Sequence, residues 1–259
     1  MSEVEQIEEN LKKLKKLGVS ETEIIERCES KILSLKNGEL SHAFIKNIKG
    51  ADVKAHGKAI IESKYPKWNY MFAKDVVGVN VKAHEKVVIE SKDPEWNYMF
   101  AKDVVGANVK AHGNVIIESK DPEWNYIFAK DVVGADVKAH GNVIIESKNT
   151  YWNYIFAKDV VGANVKAHEK VVIESKNPKW NYCFAKEVKG ADVMAHGRVI
   201  VESKDSTFNY WFKEDFEDEY KIIRRNNLID DAYNFIDDAL DEMIKLQQNV
   251  ENKSMQKRF

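Results

Sequence analysis

Apolar and polar positions along this chain recur at helical spacing, in blocks that return at one fixed period, as Gly106, Gly134 and Gly162 do. In the block DPEWNYIFAKDVVG, Trp124, Phe128 and Val132 fall at i, i+4 and i+8. In the block that follows, VKAHGNVIIESK, the residues Val137, His140, Val143, Ile144 and Ser147 share one stripe. Spacings of three and four place side chains on one face of an α-helix, whereas a strand alternates every two. GADVKAH has some likeness to a β-coil turn and VIIES to a strand, but Pro and Gly bracket segments of helical length. Two helices of about 11 residues and two tight turns use up one period, which describes a helix-pair solenoid.

The punctuation supports this division. Asp121 is a good N-cap and Pro122 fits the first turn, where its missing N–H costs nothing. Glu123 suits the positive end of the helix, and Gly134 supplies a left-handed position after it. Asp136 then caps the second helix, and the next Asp-Pro or Asn-Pro closes it. The predicted fold is all-α: an alpha-solenoid of about six to seven 28-residue helix-turn-helix repeats, with helical N- and C-terminal caps.

Four domains follow. Residues 1–37 read as an N-terminal helical hairpin cap, with a capping box from Ser20 to Glu23 and a stop at Asn37-Gly38. Residues 38–212 are the repeats, which begin imperfectly: Leu40, His42 and Phe44 stand where later copies have Trp, Tyr and Phe. Residues 213–250 are an acidic C-terminal helical cap, with Ile229, Tyr233, Ile236, Leu240 and Ile244 as its apolar stripe. That helix either closes the core or docks a partner or a second copy. Residues 251–259 read as a flexible tail.

Composition narrows the function. The formal net charge of −2 gives no global field for nucleic acid or an acidic surface. The repeats hold 25 bases and 22 acids, while residues 213–245 hold 11 acids and 5 bases. Cys28 and Cys183 are too few for a disulfide framework or a metal site. No signal peptide or 18-residue apolar run is evident, so a cytoplasmic location is expected.

The repeated residues form columns. Trp68, Trp96, Trp124, Trp152 and Trp180 are expected in the core, with ligand gripping as the alternative. Asn69, Asn97, Asn125, Asn153, Asn181 and Asn209 lie toward the packed side, where a ladder of bonds to turn backbones would satisfy them. His56, His84, His112, His140, His168 and His196 suggest a metal relay or a pH switch. One histidine per repeat does not surround an ion, so the expectation is a buried, neutral, structural column. No metal and no cofactor is predicted.

A wheel at 100° per residue sends a Tyr and a Lys column outward. These are Tyr70, Tyr98, Tyr126, Tyr154 and Tyr182, with Lys74, Lys102, Lys130, Lys158 and Lys186. They are the predicted partner-binding residues. The pair after each His varies between Gly-Asn, Gly-Lys, Gly-Arg and Glu-Lys, as in Gly141-Asn142 and Glu169-Lys170. A glycine inside a helix costs about 1 kcal/mol. Four repeats bear it, at Gly57, Gly113, Gly141 and Gly197, so either something approaches closely there or the copies have drifted.

Three functions fit: a non-enzymatic scaffold that binds another protein, binding of a nucleic-acid backbone along the Lys and Tyr columns, and sequestration of a small ligand. No phosphate loop, zinc spacing or nucleophile motif is present, so no enzyme is predicted. Lys130 is followed by Asp131, a pairing that recurs and reduces counterion release, so the protein partner is favoured.

The unit NYIFAKDVVGADVKAHGNVIIESKDPEW resembles a family of short tandem helical repeats of uncharacterised bacterial and phage proteins, HEAT/TPR-like in kind, over about residues 39–212. Where that pattern has Leu after KA, this chain has His. The resemblance implies an alpha-solenoid and no defined activity. With the Lys-, Asn- and Ile-rich usage, it suggests a phage or mobile-element inhibitor of a host defence protein.

Overall fold

The structure is a computed structural model that describes residues 3–256, with side-chain surroundings for residues 5–245. Among the described residues there are sixteen helices and no strand. Helix starts recur at the period of the sequence, as in Pro94, Pro122 and Thr150. The all-α helical-repeat prediction holds.

The first helices of the pairs are α3 (Gly38–Asn47), α5 (Pro66–Asp75), α7 (Pro94–Asp103), α9 (Pro122–Asp131), α11 (Thr150–Asp159), α13 (Pro178–Glu187) and α15 (Ser206–Asp215). The second helices are α4 (Val53–Ser63), α6 (Val81–Ser91), α8 (Val109–Ser119), α10 (Val137–Ser147), α12 (Val165–Glu174) and α14 (Val193–Glu202). Before them come α1 (Glu3–Lys16) and α2 (Glu21–Ser34), and after them α16 (Glu217–Gln256). The chain divides into two compact units, 1–152 with 159–164, and 153–158 with 165–259. In the first unit α3, α5, α7 and α9 pack in sequence as one layer, and α4, α6, α8 and α10 as another. In the second unit α13 packs on α15, α12 on α14, and α14 on α16.

The expected caps form. Asp121 Oδ1 accepts the N–H groups of Glu123 and Trp124, and Asp136 Oδ1 accepts that of Ala139. Ser20 accepts from Glu23 N–H at 3.2 Å. Two boundaries differ from the prediction. Asn37-Gly38 starts α3 instead of stopping α2, because Asn37 accepts the N–H of Leu40. The second helices end before any Asp-Pro, on lysines in the left-handed region: Lys36, Lys64, Lys92, Lys120, Lys148, Lys176 and Lys204 have φ of 47–59°. Ser119 Oγ donates to Ile116 C=O and accepts the N–H of Asp121, so the turn around Lys120 is held on both sides.

The innermost residue of each repeat is a phenylalanine: Phe72, Phe100, Phe128, Phe156, Phe184 and Phe212 are fully buried. The tryptophans are half-buried, a correction to their predicted core position, and pack on the tyrosine of the preceding repeat. The first helices are flanked on both sides by other first helices, so they bury two faces; the wheel assumed one.

The N-terminal hairpin is a diverged repeat. Cys28, Glu29 and Lys36 stand one period before His56, Gly57 and Lys64, and Lys36 takes the same left-handed turn. At the other end the start of α16 closes the second unit, with Ile223 buried against Ile200, Val201 and Phe212. The helix then runs on to Gln256, past the predicted start of the tail at 251; residues 257–259 lie outside the described residues.

Candidate functional site

Three columns knit the repeats together, and each consumes residues that the sequence left open. The first is Asn–His. Asn97 Nδ2 donates to Val88 C=O at 2.9 Å and Asp93 C=O at 2.8 Å, while its Oδ1 lies 2.7 Å from His112 Nδ1. The amide nitrogen is fixed by two carbonyls, so Oδ1 must accept and His112 Nδ1 must carry the proton. The same bond joins His84 to Asn69, His140 to Asn125, His168 to Asn153 and His196 to Asn181. Each imidazole also packs on a phenylalanine, with centroids 4.9 Å apart for Phe128 and His140. Burial pushes His84, His112, His140, His168 and His196 down to about 4. His56 is also lowered, chiefly by burial, against the pull of Glu29. The histidines are buried, and that burial favours their neutral form.

The second column corrects the predicted contact surface. Tyr98 donates its hydroxyl to Asp131 of the next repeat at 2.8 Å, and Lys102 Nζ reaches both Tyr98 Oη, at 2.6 Å, and Asp131, at 3.1 Å. Tyr126, Lys130 and Asp159 make the same triad, as do Tyr70, Lys74 and Asp103. In the second unit Tyr154 and Lys158 bind Glu187, and Tyr182 and Lys186 bind Asp215. His42 replaces the tyrosine in the first copy and lies 3.2 Å from Asp75. Tyr70, Tyr98, Tyr154 and Tyr182 are buried and Tyr126 is half-buried, so the tyrosines are ties between repeats and not an open binding row. The lysines keep part of their surface, but each has a carboxylate of its own. The Tyr98 hydroxyl and then Lys102 hold the Asp131 carboxyl below its usual range against burial.

The third column is the variable residue after each His. Where it is glutamate, its carboxylate is sunk between repeats: Glu85 is 8 % and Glu169 4 % exposed. Glu29 Oε1 accepts the N–H of Asp52 at 2.7 Å and lies 3.4 Å from His56 Nε2. Glu85 accepts the N–H of Asn108 and lies 3.4 Å from His112 Nε2. Glu169 accepts the N–H of Asp192, lies 3.5 Å from His196 Nε2, and pairs with Lys166 at 2.7 Å. With Nδ1 of His112 and His196 already donating to Asn, Nε2 of each neutral ring presents a lone pair. It attracts the carboxylate only when a proton lies between them. At Gly57 and Gly113 the space is open, whereas at Gly197 Phe212 and Ile223 fill it. A hollow of about 650 Å³ at Gly57 is lined by Lys54, Phe72, Asn80 and His84. One of about 290 Å³ at Gly113 is lined by Lys110, Phe128, Asp136 and His140.

Two apolar surfaces are also exposed. Val77, Val105, Val133 and Val161, one per repeat in the first unit, are 93–94 % exposed. The far part of α16 exposes Leu228, Ile229, Tyr233, Phe235, Ile236, Leu240, Met243 and Ile244. Among the described residues no cluster of three or more His, Cys, Asp or Glu could hold a metal ion, and no helix is long and apolar enough to cross a membrane. No family model matches the chain, and no curated protein or solved structure matches it.

Proposed function

We propose that the chain is a non-enzymatic protein-binding repeat scaffold, and that a second copy of itself is one of its partners. The observation that carries this is the uncovered apolar face of α16. Ile222, Ile229, Ile236 and Met243 fall seven residues apart, the spacing of a helix–helix seam. With their apolar neighbours they expose on the order of 900 Å² per helix, about what each partner of a standard interface contributes.

Charge favours an antiparallel second copy. Lys221, Arg224 and Arg225 stand at the start of the seam, and Asp230, Asp231, Asp237, Asp238, Asp241 and Glu242 along the rest of it. A parallel pair would set the acids side by side. An antiparallel pair sets the basic start of each helix alongside the acidic second half of its partner. The valine row is a second apolar surface for a protein, and the pairing of the Lys column with carboxylates leaves little for a phosphate backbone to recruit.

Light scattering across a concentration series tests the reading. A dimer that Ile236→Asp converts to a monomer with unchanged helix content supports it. A monomer at all concentrations up to about 100 μM, far above the dissociation constant such an area supports, overturns the self-pairing.

A further inference from the structure

The glutamate repeats show what the glycine repeats lack. In the former, one carboxylate oxygen takes the N–H at the start of the next second helix and faces a histidine Nε2. At Gly57 and Gly113 the same groups stand around empty space. His140 is fully buried, and its Nε2, like those of His56, His112 and His196 that face glutamates, has no hydrogen-bond partner among the described residues; at His140 no glutamate faces it. It lies 3.4 Å from where a Cβ on Gly113 would sit, with Phe128 Cε1 at 3.3 Å from the same point. Among the described residues Asp136 N–H has no acceptor, although its counterparts in Asp52, Asn108 and Asp192 are all bound by glutamate. Lys110 lines the hollow from the position that Lys166 occupies beside Glu169. Gly57 repeats the arrangement: a Cβ there would lie 3.4 Å from His84 Nε2, with Asn80 N–H and Lys54 beside it.

We propose that the hollows at Gly57 and Gly113 are binding sites for a carboxyl group on a short aliphatic stem, the chemistry of a glutamate side chain brought by a ligand. One ligand oxygen accepts the N–H of Asp136 or Asn80, as Glu29 does with Asp52. The other groups present are a lysine ammonium and an imidazole lone pair. Those two demand opposite things, an anion and a donor, and a carboxyl that arrives with one proton satisfies both. Whether the proton stays on the acid or passes to Nε2, one proton is taken up for each ligand bound. Phe128 or Phe72 covers the stem. The remaining charged groups are Asp136 at the Gly113 hollow, and Asp52 and Lys58 at the Gly57 hollow. The Asp52 and Asp136 carboxylates are engaged in capping Ala55 and Ala139. This inference does not depend on the scaffold function. The carboxyl can belong to a free small acid or to an acidic side chain of a bound protein.

Propionate is the excised glutamate side chain and is the probe. It is titrated into the intact protein at constant ionic strength while the imidazole resonances of His84 and His140 are followed by NMR. The expected result is saturable movement of both, with a midpoint on the order of 1 mM for so small a ligand. The apparent affinity rises about tenfold for each pH unit lowered between 7 and 6, as uptake of one proton requires. Gly113→Glu, which copies the Glu85 repeat, abolishes the His140 response and leaves that of His84. Lys110→Met, at the solvent edge, weakens the His140 response several-fold and supplies the test if the glutamate variant does not fold. No response at about 100 mM propionate, or the same response to propanol, overturns the proposal. So does a His140 response that survives Gly113→Glu, or, where that variant fails to fold, one that is undiminished in Lys110→Met. A short glutamate-containing peptide in place of propionate then separates the sources: tighter binding of the peptide assigns the sites to a protein partner, and binding of propionate alone assigns them to a free acid.

Discussion

Acidification should unfold the repeats through their histidines, and the size of the effect follows from the structure. Burial depresses five imidazoles to about 4, while the same groups in an unfolded chain titrate near 6.5. The unfolded chain therefore binds more protons than the folded one between these two values. Their contribution is fully present above pH 6.5 and is lost as pH falls toward 4. At pH 5 each histidine costs about 2 kcal/mol, so two within one unit cost about 4, a large fraction of a typical stability. The assay is urea denaturation at pH 7, 6 and 5, combined with NMR titration of the imidazole Cε1–H signals in the folded protein. The signals should stay fixed from pH 8 to pH 5 while the urea midpoint falls. Folded-state titration near pH 6.5, or an unchanged midpoint at pH 5, would refute the reasoning, because either means that the rings are solvated.

Three further outcomes follow. Lys120→Gly should stabilise the protein by about 1 kcal/mol by relieving a left-handed lysine, raising the urea midpoint. Asn125→Leu leaves His140 Nδ1–H without an acceptor and takes one of two donors from Ile116 C=O, which keeps Ser119 Oγ, and should cost about 2–3 kcal/mol in the same assay. Tyr98→Phe removes two bonds of a triad whose lysine and aspartate remain paired, and should cost about 1–2 kcal/mol, read as a small fall in melting temperature.

Much of the fold was legible because caps and apolar spacing are local. Asp121, Pro122 and Asp136 mark helix starts by chemistry that needs no neighbour, and the histidine and asparagine columns were placed correctly on the packed side. What failed depends on the next repeat. Tyr98 reads as outward until a second first-helix lies across it and offers Asp131. Glu85 and Gly113 are one varying position in two copies, and nothing local shows that a side chain there enters a gap between repeats. Lys120 has no signature of a left-handed residue; only its recurrence, one period from Lys92 and from Lys148, could have singled it out. Gly38 resembles a terminator and instead begins a helix, because the asparagine before it is the cap.

The Tyr98–Asp131 tie spans 33 residues, one full period and five more. A tie with that offset does not record which copy it belongs to. Excising residues 93–120 would join Lys92 to Asp121 across a seam spelled the same way as before, and Tyr70 would find Asp131 where it had Asp103. A loss that is not a whole number of periods would break the triad that spans the junction. The gene can therefore gain or lose whole copies by slippage and still encode a chain whose every fastening closes, so copy number is a dimension along which this protein can evolve without first losing its fold.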